Sequence, residues 1–166
     1  MSEKRITTMM TSKFQSPDHL LDGSERYPVI GNALDEGIIV RVQESLRGLS
    51  RYWSCLEKAI RARVVIDTGE VVAGSLLVRS EDDQSEYGYY FNPPLEFHCW
   101  IILRRSDPPI IFDPSLPGVI EMGLTVSDEL GPCLVGRKPS ILAGPPEKWM
   151  HYKEEVFVLD EILKKP

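Results

Sequence analysis

The chain predicts an α+β domain, with helices first and antiparallel strands after them. Three observations carry this expectation. Ile38, Ile39, Val42, Leu46 and Leu49 recur at helical spacing. Two apolar runs, 96–103 and 109–113, have strand length and flank a short polar loop. The 166 residues, 42% hydrophobic and 27% charged, suit one globular domain with its own core.

Residues 1–31 are polar and interrupted by Pro17, Gly23, Pro28 and Gly31, which predicts a mobile or wrapping arm before a single domain over 32–166. Within that domain a helix is expected from Leu34 to Leu49, weakened near its end by Gly48. A second is expected from about Ser54 to Arg63. The stretch RVVIDTGEVVAGSLLVRS reads as strand, turn at Asp67–Gly69, and strand. SEDDQSEYGYYFNPP reads as a long loop. Strands follow at 96–103 and 109–113. From Pro114 to Pro146 the chain is rich in proline and glycine, which predicts short pieces of structure at most. VFVLDEILKK, 156–165, suits a last strand or a short helix.

A net charge of −6 argues against nucleic acid or an anionic membrane as the main partner, because both need a basic face. No run approaches the ~18 apolar residues of a membrane span. The N-terminus has no apolar signal-like stretch, so a cytoplasmic location is expected. Cys55, Cys99 and Cys133 are an odd number without CxxC spacing, which argues against a disulfide framework or a cysteine zinc site. His19, His98 and His151 have no metal-ligand spacing with nearby carboxylates, and no cofactor is expected. His19 and His151 fall in breaker-rich or terminal segments and read as solvated.

The stretch EFHCWIILRRSDPPIIFDPS, residues 96–115, raises the functional question. Alternate residues of a strand share a face, so His98, Trp100 and Ile102 point one way and Cys99, Ile101 and Leu103 the other. Cys99 is therefore read as a small core residue. A hairpin with Arg104–Asp107 as its loop sets His98 directly opposite Asp113 and Trp100 opposite Ile111, with cross-strand Cβ atoms about 4.5–5.5 Å apart. Such an aspartate can orient an imidazole and stabilise its charged form. A buried structural pair would look the same.

Cys55, in RYWSCLEKAI, supplies the third residue. Ser54 and Glu57 fit an S-x-x-E capping box, which would make Cys55 the first residue of its helix. There the helix dipole favours the thiolate, the nucleophilic form. One continuous helix over 34–63 is the competing reading. Tyr87, Tyr89, Tyr90 and Phe91, just before the histidine strand, fit either a cleft wall or the core.

Cys55 at a helix start, an H-x-W pattern at His98–Trp100, and Asp113-Pro114 at the end of the next strand resemble the papain-like fold in its transglutaminase-like form. Arylamine N-acetyltransferases and transglutaminase-like proteases are similar in this order of cysteine, histidine and aspartate. The resemblance covers roughly residues 50–116. It implies a Cys55 nucleophile, a His98 base and an Asp113 orienter, acting on an amide, ester or thioester of a peptide or small acyl substrate. Many such relatives carry a glycine shortly before the cysteine, where this chain has Trp53-Ser54. Papain-like proteases carry an oxyanion glutamine about six residues upstream. Leu49 stands there, and the nearest upstream glutamine is Gln43. An inactive binding protein of the same fold is the alternative.

Overall fold

The computed structural model describes residues 19–82, 85–104, 107–125 and 132–157. Among these the elements are β1 (Val29–Ile30), α1 (Glu36–Ser45), α2 (Cys55–Ile66), β2 (Glu70–Arg79), β3 (Glu86–Tyr89), β4 (His98–Leu103), β5 (Ile110–Asp113), α3 (Leu116–Thr125), β6 (Ile141–Gly144) and β7 (Met150–Phe157). The class is α+β, as expected. The strands form one sheet of seven in the order β1-β6-β5-β4-β2-β3, with β7 also paired to β2. β1 runs parallel to β6 and the other pairings are antiparallel, so the sheet is mixed rather than purely antiparallel.

Each sheet face carries its own core. Val71, Ala73, Cys99, Ile101, Leu103 and Phe112 pack with Ile39, Val42 and Leu46 of α1 and Ala59 and Ala62 of α2. On the other face Val72, Leu76, Trp100, Ile102 and Ile111 pack with Leu116, Val119, Ile120 and Met122 of α3. β4 is thus covered on both sides and all six of its residues are buried. That accounts for its nearly unbroken apolar run, since a half-solvated strand would alternate with polar residues.

Several boundaries differ from expectation for identifiable reasons. α1 begins at Asp35, whose carboxylate accepts from Ile38 N at 2.9 Å, and ends before Gly48. The chain then turns, so a continuous helix over 34–63 does not form. α2 runs on to Ile66 instead of yielding to a strand at Arg63. It closes on Asp67 in left-handed conformation, with Asp67 N on the Arg63 carbonyl and Arg63 Nε on the Gly69 carbonyl. The β-branched Val64, Val65 and Ile66 finish a helix already nucleated by its packed face, because strand propensity yields to tertiary packing. Residues 86–89, expected in a loop, are β3 on β2.

The segment after Pro114 is more regular than its composition suggests. Pro117 falls in the first turn of α3, where a missing N–H costs nothing. Gly118 lets α3 approach the loop before α2, since a Cβ there would meet the Arg51 carbonyl oxygen at 2.3 Å. Residues 19–31 wrap onto the domain. Leu21 is buried and bonds Leu49 and Gly48 through its backbone, Arg51 N donates to the His19 carbonyl, and β1 adds a strand edge. Residues 1–18 of the arm and 158–166 of the C-terminal segment lie outside the described residues, while 150–157 are a strand.

Candidate active site

Helix α2 starts at Cys55, but not through a capping box. Ser54 has φ 69° and ψ 32°, and its side chain makes no capping hydrogen bond. Glu57 instead pairs with Arg61 one turn on, at 2.9 Å. The left-handed turn at Ser54 is sterically unfavourable for a residue with a Cβ. It is the conformation that a glycine before the cysteine would adopt freely.

This turn is fixed from below. Lys58, one helical turn after Cys55, is buried at 2% exposure, and its Nζ donates to the Arg51 carbonyl at 2.9 Å. Burial pushes the Lys58 ammonium down to about 8, against the pull of the Cys55 and Asp113 charges. Nothing in the sequence pattern marked Lys58, because a lysine in a helix is ordinarily solvated.

His98 and Asp113 are bonded, Nε2 to Oδ2, at 2.7 Å, both fully buried. They are not directly opposite. β5 pairs Leu103 with Ile110 and Ile101 with Phe112, so continuing the ladder sets Asp113 opposite Trp100. Proline has no backbone donor, so Pro108 and Pro109 cannot join the ladder and the connection lengthens. The slip is two residues, which preserves the face of every side chain. His98 therefore meets Asp113 along the diagonal, within reach of long side chains.

Asp113 is held on every side. Its Oδ2 also accepts from the Tyr152 hydroxyl at 2.7 Å and its Oδ1 from Ser115 N at 2.9 Å. Aromatic rings box in the imidazole. Tyr89 stacks on it at 5.9 Å and 13°, Trp100 lies at 6.0 Å, and Tyr152 is tilted at 6.4 Å. Of the four aromatic residues before β4, Tyr89 forms the wall, Tyr87 is core, Phe91 packs half-buried against the core of the α1/α2 face and Tyr90 is exposed. The contribution of Tyr152 was invisible in the sequence, where it stands 39 residues from its partner.

Cys55 meets His98 where β4 begins. Its Sγ lies 3.8 Å from the Phe97 carbonyl oxygen, it lines one pocket with His98, and the two groups shift each other toward their charged forms. Nε2 is taken by Asp113, so Nδ1 is the nitrogen left for the thiol. The Cys55 thiol is lowered well below its ordinary value, first by a hydrogen bond from Cys99 and then, against burial, by the bond and charge of His98. Burial opposes charge on His98, but the Asp113 carboxylate and then Cys55 outweigh it and lift the imidazole to about 10. Both shifts favour a thiolate beside an imidazolium.

Cys99 is buried in the core of the α1/α2 face, as the alternation implied. It also acts on Cys55, which the alternation alone did not indicate. Its thiol is raised, chiefly because it donates to the Cys55 sulfur. Cys133 is buried in the other core. His151 is exposed on β7, and His19 stands against Tyr52 at 5.4 Å. Neither lines the Cys55 pocket. Among the described residues no group of three or more His, Cys, Asp or Glu is placed to hold a metal ion.

Cys55 and His98 open onto one pocket of about 160 Å³, lined also by Tyr52, Trp53, Tyr89, Phe97 and Ser115. Gln43 is not part of it. It lines a separate cavity of about 20 Å³ beside Lys58 and Arg51. In comparisons with family models, curated proteins and solved structures, the chain finds no match. Among the described residues no helix is long and apolar enough to cross a membrane.

Proposed function

We propose that this protein is a cysteine enzyme of papain-like, transglutaminase-like arrangement, which transfers or hydrolyses an acyl group through Cys55, His98 and Asp113. What supports this reading above all is the buried Asp113–His98 pair, with His98 lining one pocket beside a half-buried thiol at a helix start. The Cys55 thiolate attacks the carbonyl carbon of an amide, ester or thioester, and the carbonyl electrons move onto oxygen. Imidazolium Nδ1 then gives its proton to the leaving group as the tetrahedral intermediate collapses to a thioester. Water or an amine, deprotonated by the same nitrogen, attacks the thioester and releases Cys55. Asp113 keeps its proton balance unchanged and stabilises the ring's charge. The reading assigns a peptide or small acyl substrate and a cytoplasmic location.

One observation favours a non-catalytic binding protein instead. Among the described residues no asparagine or glutamine lines the pocket, so the side-chain amide of a papain-like oxyanion site is missing there. Incubation with p-nitrophenyl acetate separates the two readings. An enzyme releases nitrophenolate and gains one acetyl group on the Cys55 peptide, and Cys55→Ala abolishes both. A wild-type chain that stays unacylated, with Cys55 no more reactive than Cys99 and Cys133, ends the enzyme reading.

A further inference from the structure

Buried polar groups in folded proteins are almost always hydrogen-bonded. Among the described residues only a few buried side-chain atoms have no protein partner, and two of them, Ser115 Oγ and Trp53 Nε1, belong to residues that line the same pocket. Ser115 is 5% exposed. Its backbone N–H is committed to Asp113 Oδ1, which fixes the residue beside the catalytic pair while its hydroxyl stays unengaged. Trp53 Nε1 can only donate, and the serine hydroxyl can donate as well. Both residues line one pocket, and both atoms lack an acceptor.

The remaining surface narrows that acceptor. Tyr89, Leu95, Phe97 and Val119 give the pocket an apolar body, and Glu96 sets a negative charge on its lining. A ligand carboxylate would face Glu96, whereas a neutral carbonyl satisfies the donors without repulsion. At about 160 Å³ the pocket is smaller than the roughly 300–1,000 Å³ of drug-sized sites, so it suits one side chain or a small acyl group. We propose that Ser115 and Trp53 are a donor pair that binds a carbonyl oxygen of the substrate, and that the substrate is a neutral amide or ester with an apolar or aromatic body. This deepens the acyl-transfer reading and rests on it for the word substrate, while the binding it describes is measurable without catalysis.

The test is binding of phenylacetamide to the intact chain by ligand-observed NMR, beside ethylbenzene, which has the apolar body but no acceptor. Ser115→Ala and Trp53→Phe are each expected to weaken phenylacetamide roughly tenfold, the scale of one neutral hydrogen bond, and to leave ethylbenzene unchanged. Circular dichroism confirms that each variant is folded. Ser115→Thr, which keeps the hydroxyl, is expected to bind phenylacetamide more tightly than Ser115→Ala. Equal phenylacetamide affinity for wild type and Ser115→Ala overturns the proposal, and so does a wild type that binds neither compound. Selective binding together with no Cys55 acylation upholds the donor pair and defeats the enzyme reading instead.

Discussion

Tyr152 and Asp113 are joined by a 2.7 Å hydrogen bond across the sheet, from β7 to the end of β5. The phenol is raised well above its ordinary value, by burial first and then by the Asp113 charge, so it stays a neutral donor at every working pH. It shares Oδ2 with the His98 ring, so that one carboxylate oxygen accepts two hydrogen bonds. Tyr152→Phe removes that donor and little else. We expect a loss of about 2 kcal/mol, in the range for hydrogen bonds to charged groups, in denaturant unfolding at neutral pH. An unchanged midpoint would show that the carboxylate does not need the third donor.

The protonation states set two opposite pH dependences. The His98 imidazole is raised to about 10, so its contribution to folding is complete below its unfolded value of about 6.5 and is lost as pH rises through 10. The Cys55 thiol is lowered, so its contribution is complete above about 8.5 and is lost as pH falls through the lowered value. The charged pair exists between these limits. Ester turnover should therefore be bell-shaped, with an acid limb well below pH 8.5 and an alkaline limb near 10. A rate that rises through pH 8.5 like a free thiol would refute the preformed pair.

Cys99 now carries a sharper expectation than a core residue would. Cys99→Ala leaves a small cavity, for a stability loss on the order of 1 kcal/mol. It also removes the strongest support for the Cys55 thiolate, so the Cys55 thiol should titrate higher. Alkylation of Cys55 by iodoacetamide near pH 6 should slow by roughly 3- to 30-fold, as thiolate becomes scarcer. Unchanged alkylation with unchanged titration would reduce Cys99 to packing alone.

Ser54 makes the opposite kind of prediction, a gain. Its left-handed backbone costs roughly 1 kcal/mol for a residue with a Cβ, and its hydroxyl caps nothing in return. Ser54→Gly should raise stability by about 0.5–1 kcal/mol, read as a shift of the unfolding midpoint. Had the capping box existed, the loss of the hydroxyl would lower it, so the sign of the shift decides the matter.

Local pattern reached the site and stopped at its surroundings. Strand alternation fixed the faces of His98 and Cys99, because a period of two survives a register slip of two. The slip itself was set by Pro108 and Pro109, whose effect on loop length depends on where the ladder resumes. Composition misjudged α3, since Pro117 and Gly118 act there as a first-turn residue and a close contact rather than as breakers. Tyr152, Lys58 and Ser115 gave no signal at all. Each matters through a tertiary neighbour: Tyr152 through Asp113, Lys58 through the Arg51 carbonyl, and Ser115 through the pocket.

Asp113→Asn tests the aspartate most directly, because the structure leaves an amide no good orientation. Oδ2 receives donors from His98 and Tyr152, and Oδ1 receives one from Ser115 N. An asparagine that offers oxygen to His98 and Tyr152 turns its amide group against the Ser115 N–H. The reverse orientation sets the amide against two donors. Either way a buried donor goes unpaired, at a cost of about 1–3 kcal/mol. The charge that raises the imidazole also disappears, leaving burial to lower it, so the alkaline limb should move well below pH 10. The Cys55 thiol should titrate higher as the imidazolium weakens. The equivalent change in a serine-protease triad lowers turnover by about 10⁴. A preformed thiolate depends less on its third member, so the expected loss is roughly 10- to 1,000-fold in kcat/KM with the fold retained. Activity within a factor of about two of wild type, with both limbs unmoved, would mean that Asp113 serves the fold and not the chemistry.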